Sequence, residues 1–128
     1  MRVLIVDDSP QVASTLEIAL SHAGWETSCA HDAIRALELL STLPAVDVIV
    51  TDLDMPRLDG YAFIAAIRAH PRASRSAVIV TSGSTAADAE SLALAAGADL
   101  YFAKPYSPAS VRQSMERLAG GHNGQVIS

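Results

Sequence analysis

One cysteine, Cys29, stands in 128 residues. No internal disulfide can form, and a lone thiol with hydrophobic neighbours fits a reducing compartment. Basic runs are missing too: nine Lys and Arg face fourteen Asp and Glu, for a formal net charge of −5, and the cations are scattered singly. Neutralising a phosphate backbone takes a basic patch, so no direct nucleic-acid binding is expected. No apolar stretch approaches the length that spans a bilayer, and Met1-Arg2 leads straight into a strand pattern rather than a signal peptide. These absences point to a cytoplasmic protein with no membrane contact.

Half of the residues are apolar and 18% are charged, which excludes disorder and suits one domain with a single substantial core. Short apolar runs alternate with longer helical periods. "RVLIV" (2–6) reads as a strand, and Val12, Leu16, Ala19, Leu20 and Ala23 follow at helical spacing. Ser9-Pro10 gives the N-cap and first turn of that helix, and Gly24 its end. "ETSCA" (26–30) is a second strand; Asp32 opens a helix carrying Ile34, Leu37 and Leu40. "VDVIV" (46–50) is a third, followed by a helix from about Tyr61 to Pro71.

"AVIVT" (77–81) and "LYFA" (100–103) complete five strands. Between them, Thr85 and Asp88 suggest a capping box for an Ala-rich helix that ends at Gly97. Ser107-Pro108 repeats the Ser9-Pro10 cap and starts a last helix with Val111, Met115 and Leu118 inward. The expected organisation is one domain over 1–119 and a flexible tail or linker start over 120–128, where "GGHNGQVIS" carries no period. Five repeats of strand and helix, with central strands apolar on both faces, imply an α/β fold. It is a (βα)5 doubly wound, flavodoxin-like parallel sheet of five strands with helices on both faces.

In such sheets ligands bind beyond the carboxyl ends of the strands. Asp7-Asp8 end the first strand, Asp52 the third and Thr81-Ser82-Gly83 the fourth, and Lys104-Pro105 follow the fifth. Each has an ordinary reading alone: a helix cap, turn chemistry, a satisfied hydroxyl, a solvated lysine. Together they form three mutually repelling carboxylates that call for a cation. Hard oxygen donors suit Mg²⁺, which accepts one or two carboxylates plus a phosphate. A lysine and a hydroxyl facing them serve the remaining oxygens of a phosphoryl group.

"VLIVDDS", "VDVIVTDLDMPRLDG", "VTSGS" and "GADLYFAKPY" resemble the receiver domain of bacterial two-component response regulators, of the chemotaxis-regulator type. The resemblance covers roughly Arg2 to Leu118 and rests on correct spacing as well as on the motifs. It implies that Asp52 accepts a phosphoryl group, with Asp8 and Asp52 as direct ligands of Mg²⁺ (or Mn²⁺). Asp7 would act through water and Asp54 through its backbone carbonyl. Lys104 would contact the phosphoryl group, and the Lys104-Pro105 bond would be cis. The switch hydroxyl is Ser82 or Thr81, Ser82 being favoured by its spacing and by Gly83 after it; strand alternation lets one of the two face the site. Tyr101 matches the switch aromatic.

The partners so implied are a sensor histidine kinase or histidine phosphotransfer protein and a downstream protein target or fused output domain. "IVTDLD" also resembles the opening motif of haloacid-dehalogenase-type phosphohydrolases. That motif normally sits on the first strand, with a second acidic pair after the lysine; here the pair is Asp7-Asp8 and no acidic cluster follows Lys104. A nucleotide-binding module is weaker again, since no Gly-rich loop follows the first strand.

Overall fold

The β-branched runs pair as five parallel strands in the order β2-β1-β3-β4-β5, with helices between them in the chain. The elements are β1 (Arg2–Val6), α1 (Pro10–His22), β2 (Glu26–Ala30), α2 (Ala33–Thr42) and β3 (Val48–Asp52). They continue with α3 (Gly60–Ala69), β4 (Ala77–Ser82), α4 (Ala89–Ala96), β5 (Leu100–Ala103) and α5 (Pro108–Ile127). The structure, a computed structural model, describes residues 1–55 and 59–127, with 119–127 as backbone alone. Pro56-Arg57-Leu58 of the "DMPRLDG" motif and Ser128 of the expected tail lie outside the described residues.

Strand alternation divides the core into two layers. Val3, Ile5, Val48, Val50 and Ile79 face α1 and α5, where Leu16, Leu20, Val111 and Met115 meet them. Leu4, Val6, Ile49, Val78 and Val80 face the opposite way, onto Leu40, Phe63, Ile64, Ile67 and Ala93 of α2, α3 and α4. Both faces of the sheet are therefore covered, which is why the central strands are apolar throughout. Among the described residues no helix is long and apolar enough to cross a membrane.

Ser9 caps α1 through Val12 N–H, Asp32 caps α2 through Arg35 N–H, and Gly24 takes a φ of 91° just past α1. Four expectations are corrected. β3 begins at Val48 rather than Val46 and runs on through Asp52, because the ladder persists: Asp52 pairs with Thr81, and Leu53 N–H donates to Thr81 O (2.8 Å). Thr85 does not cap α4, which starts at Ala89. Serine hydroxyls hold that turn instead, Ser82 Oγ accepting from Ser84 N–H and Ser84 Oγ from Ala86 N–H. Ile34 is 75% exposed, since α2 turns Ala36 and Leu40 inward. Finally, the α5 backbone stays helical through Ile127, where a tail without period was expected. Extending an anchored helix avoids the cost of nucleating one.

Arg68, at the end of α3, fastens the sheet's far edge. Its Nε and Nη2 donate to Gly97 O (2.9 and 2.7 Å), and Nη2 also to Asp99 Oδ2 (2.9 Å). Nη1 donates to Ser74 O (3.1 Å) and Ser76 O (2.6 Å). Asp99 Oδ2 in turn accepts from Val78 N–H (2.8 Å). One guanidinium thus ties α3, the turn into β4 and the turn into β5 together. Gly97, with φ at 125°, leaves room for it: a Cβ there would stand 2.9 Å from Arg68 Cγ.

Candidate functional site

The parallel register brings the carboxyl ends of β1, β3, β4 and β5 to one edge, Val6 beside Thr51, Asp52 beside Thr81 and Ser82 beside Ala103. β1 leads to β2 on one side while β3 lies on its other side, so the crevice opens at the β1/β3 boundary. Asp7-Asp8 and Asp52 meet there. One oxygen from each of Asp7, Asp8 and Asp52 lies within 4.8 Å of the others, with Asp7 and Asp52 buried and Asp8 exposed.

Asp52 is held from two sides. Its Oδ1 accepts from the Asp54 backbone N–H (2.9 Å), and its Oδ2 from Lys104 Nζ (3.0 Å). Lys104 reaches it from the loop after β5, whose backbone turns at a cis Lys104–Pro105 bond and is tied to β4 by Lys104 N–H on Ser82 O (2.7 Å). Burial works against the charge on Lys104, but the hydrogen bond and charge of Asp52 outweigh it, with Asp7 and Asp54 adding; its pKa stands above the usual value. Asp7 has the reverse problem. Burial raises its carboxyl pKa, although the Ser9 N–H (2.9 Å) pulls it down; Asp52 and Asp8 push it up and Lys104 opposes them. A cluster of carboxylates strained by burial and like charge is a donor set that a small dication would relieve.

The two candidate hydroxyls sit differently. Ser82 Oγ donates to Asp54 Oδ1 (2.9 Å), putting its side chain at the site edge. Thr81, the residue before it, projects to the opposite face by alternation. Asp54 Oδ2 also accepts from Gly83 N–H (2.6 Å). Asp59 caps α3, accepting from Tyr61 and Ala62 N–H. Gly60 admits the close approach of Leu53: a Cβ there would lie 2.5 Å from Leu53 Cδ1 and 2.8 Å from Leu53 O. The Asp-Gly pair therefore presses α3 against the residue beside Asp52. Tyr101, half-buried on β5, packs against the α2–α4 side of the core.

Asp54, expected to matter mainly through its backbone carbonyl, also grips the tip of β4 with its side chain. One feature went unread in the sequence. Tyr106 follows the lysine–proline pair and lines, with Lys104, a groove of about 520 Å³ against α1. Burial and the charge of Asp7 raise the Tyr106 hydroxyl pKa. A tyrosine two residues past Lys104 was the available signal.

Residues 3–116 match the family model described as the response regulator receiver domain. The chain is 40% identical over 105 residues to the transcriptional regulatory protein PrrA of Mycobacterium leprae, covering 82% of this chain and 44% of PrrA. It is 26% identical over 126 residues to a chemotaxis protein CheY homolog of Campylobacter jejuni, covering 98% and 97% of the two chains. It thus spans less than half of the one relative and nearly all of the other. Among solved structures it superimposes with a TM-score of 0.82 on the receiver domain of the sensor histidine kinase PA1611 from Pseudomonas aeruginosa PAO1 (28% identity, 93% and 97% coverage). That structure has a magnesium ion coordinated in its active-site cleft. These matches favour the receiver over the phosphohydrolase, and the chain belongs to the response regulator receiver domains of two-component signalling.

Proposed function

We propose that the chain is a phosphorylation-dependent switch whose phosphoacceptor is Asp52, supplied by a phosphohistidine on a sensor histidine kinase or histidine phosphotransfer protein. The observation that carries this is the setting of Asp52. It is a buried carboxylate whose two oxygens are oriented by the Asp54 amide and the Lys104 amine, at the centre of an acidic crevice.

A carboxylate oxygen of Asp52 attacks phosphorus, the P–N bond breaks, and its electron pair stays on the donor imidazole, leaving an acyl phosphate on Asp52. Little covalent chemistry is asked of the protein beyond the nucleophile, so positioning and charge carry the step. Lys104, at 3.0 Å from Asp52, is placed to pass its donor to a phosphoryl oxygen. Asp7, Asp8 and Asp52, with the Asp54 backbone carbonyl, are the residues that would hold Mg²⁺, or Mn²⁺ on the same oxygen donors. Bound there, the ion offsets the negative charge of the carboxylates and phosphoryl oxygens. Asp54 N–H keeps the Asp52 carboxylate from rotating.

Phosphorylation adds charge at the strand tip and biases a two-state surface. Ser82 leaves its resting partner to meet the phosphoryl group, and Tyr101 turns into the vacated space, changing the α4–β5–α5 face. That face binds a downstream protein target or a fused output domain, with no direct contact to nucleic acid or membrane. The protein acts in the cytoplasm and takes part in its own phosphotransfer and dephosphorylation rather than turning over a substrate. Residues 1–119 are the phosphoacceptor domain, and 120–128 lie beyond it. Acetyl phosphate and Mg²⁺ should give a self-limited, labile phosphorylation; multiple turnover on a generic phosphate ester would instead reinstate the phosphohydrolase.

A further inference from the structure

Asp54 occupies two roles at once in the resting site. Its backbone N–H donates to the Asp52 carboxylate (2.9 Å), while its own carboxylate accepts the Ser82 hydroxyl (2.9 Å) and the Gly83 amide (2.6 Å). A serine hydroxyl carries one proton and can donate to one acceptor at a time. Ser82 Oγ also accepts from Ser84 N–H (3.0 Å), but toward the acceptor oxygens of a phosphoryl group only its single proton can serve. The Gly83 amide likewise has one hydrogen, and the Asp54 carboxylate takes it. Both donors at the tip of β4 are thus committed to an anion two residues from the phosphoacceptor.

We propose that the Asp54 carboxylate is an internal competitor for the phosphoryl group: a resting-state clamp that occupies the Ser82 and Gly83 donors until phosphorylation of Asp52 displaces it. The inference rests on the phosphoacceptor reading of Asp52 and adds to it a positioning residue that sets the switching threshold. Ionised acceptors form hydrogen bonds roughly twice as strong as neutral ones, so the clamp biases the resting state substantially. The space around it fits this role. A Cβ on Gly83 would stand 3.6 Å from Asp54 Oδ2 and 4.0 Å from Lys104 Cδ, so the carboxylate and the lysine stem border the same glycine. When the phosphoryl group claims Ser82, Asp54 loses its hydroxyl partner, and the side-chain link between the tips of β3 and β4 opens while Leu53 N–H stays on Thr81 O. That link is then re-made through the acyl phosphate.

The test has two arms. In the metal-free, unmodified protein, hydrogen exchange read by NMR should show the Gly83 amide protected in wild type and about tenfold less protected in Asp54→Ala, with Asp54→Asn between them. In the second arm, beryllofluoride with Mg²⁺ serves as an inert phosphoryl analogue, and its affinity is read by titration of the amide spectrum. Asp54→Ala should bind it about tenfold more tightly than wild type, and that gain should shrink several-fold in a Ser82→Ala background, where there is no hydroxyl to release. A gain of equal size in both backgrounds would mean plain charge repulsion and overturn the clamp, as would no gain or an unprotected Gly83 amide. A wild type that takes neither beryllofluoride nor a label on Asp52 would overturn the phosphoacceptor reading itself; a wild type that takes the label without the Asp54→Ala gain overturns the clamp alone.

Discussion

Truncating Arg68 should unfasten the end of the sheet opposite the acids while leaving the site residues in place. Its five donated hydrogen bonds reach Ser74 O, Ser76 O, Gly97 O and Asp99 Oδ2. Its side chain is 26% exposed and that of Asp99 is 42% exposed, so water replaces part of what is lost and the ion pair itself contributes little. Ser76 is 6% exposed, and an acceptor left without a donor beside it costs about 1–3 kcal/mol. Adding lost packing of the Arg stem across Gly97, Arg68→Ala should destabilise by about 2–3 kcal/mol. At about 2.1 cal/mol/K per residue, 128 residues give an unfolding entropy near 0.27 kcal/mol/K. Tm should therefore fall by about 7–11 °C. Arg68→Lys should recover less than half, because an ammonium cannot span three chain segments as a planar fork does. Thermal unfolding followed by circular dichroism measures both. A fall of under about 2 °C, or full rescue by lysine, would refute the reasoning.

Asp7→Asn should raise the Tm of the metal-free protein at neutral pH by on the order of 1 kcal/mol equivalent, since it removes a buried charge that repels Asp52 and Asp8 while keeping an acceptor for Ser9 N–H; added Mg²⁺ should stabilise wild type more than this variant. Cys29 should resist alkylation. Burial first, then the charge and hydrogen bond of Glu17, push its thiol from 9.0 up to about 12, so at pH 9 the native protein should react roughly 100-fold or more slowly than the unfolded chain. Because the folded state holds that proton more tightly, Cys29 costs stability progressively as pH rises from 9.0 toward about 12, and Cys29→Ser should flatten that alkaline loss. Trp25 fluorescence should be insensitive to Mg²⁺, because Trp25 is buried beside the start of β2, at the far end of the sheet from Asp52; strong quenching would contradict the strand arrangement.

The strands, their parallel order and the convergence of Asp7, Asp8, Asp52 and Lys104 were legible because each rests on a one-dimensional signal. Apolar runs mark strands, alternation with helical periods marks a parallel sheet, and a parallel sheet gathers its strand ends. What escaped depends on where a side chain points after the regular backbone stops. The path of residues 53–55 decides that the Asp54 carboxylate meets Ser82 and Gly83, and no spacing rule reports that path. Thr85 had the right offset for a cap, but Ser82 and Ser84 hold the turn amides before it. Arg68 looked like one more scattered cation because its acceptors are mostly backbone carbonyls, which leave no mark in a sequence.

The central claim is that Asp52 is the phosphoacceptor, and intact-mass spectrometry after incubation with acetyl phosphate and Mg²⁺ tests it most directly. Wild type should gain the mass of one phosphoryl group, lose it on alkaline treatment as an acyl phosphate does, and require the metal for labelling. Asp52→Asn should gain nothing. An Asp52→Asn protein that labels at the wild-type rate, or a label that maps to another residue, would contradict the account.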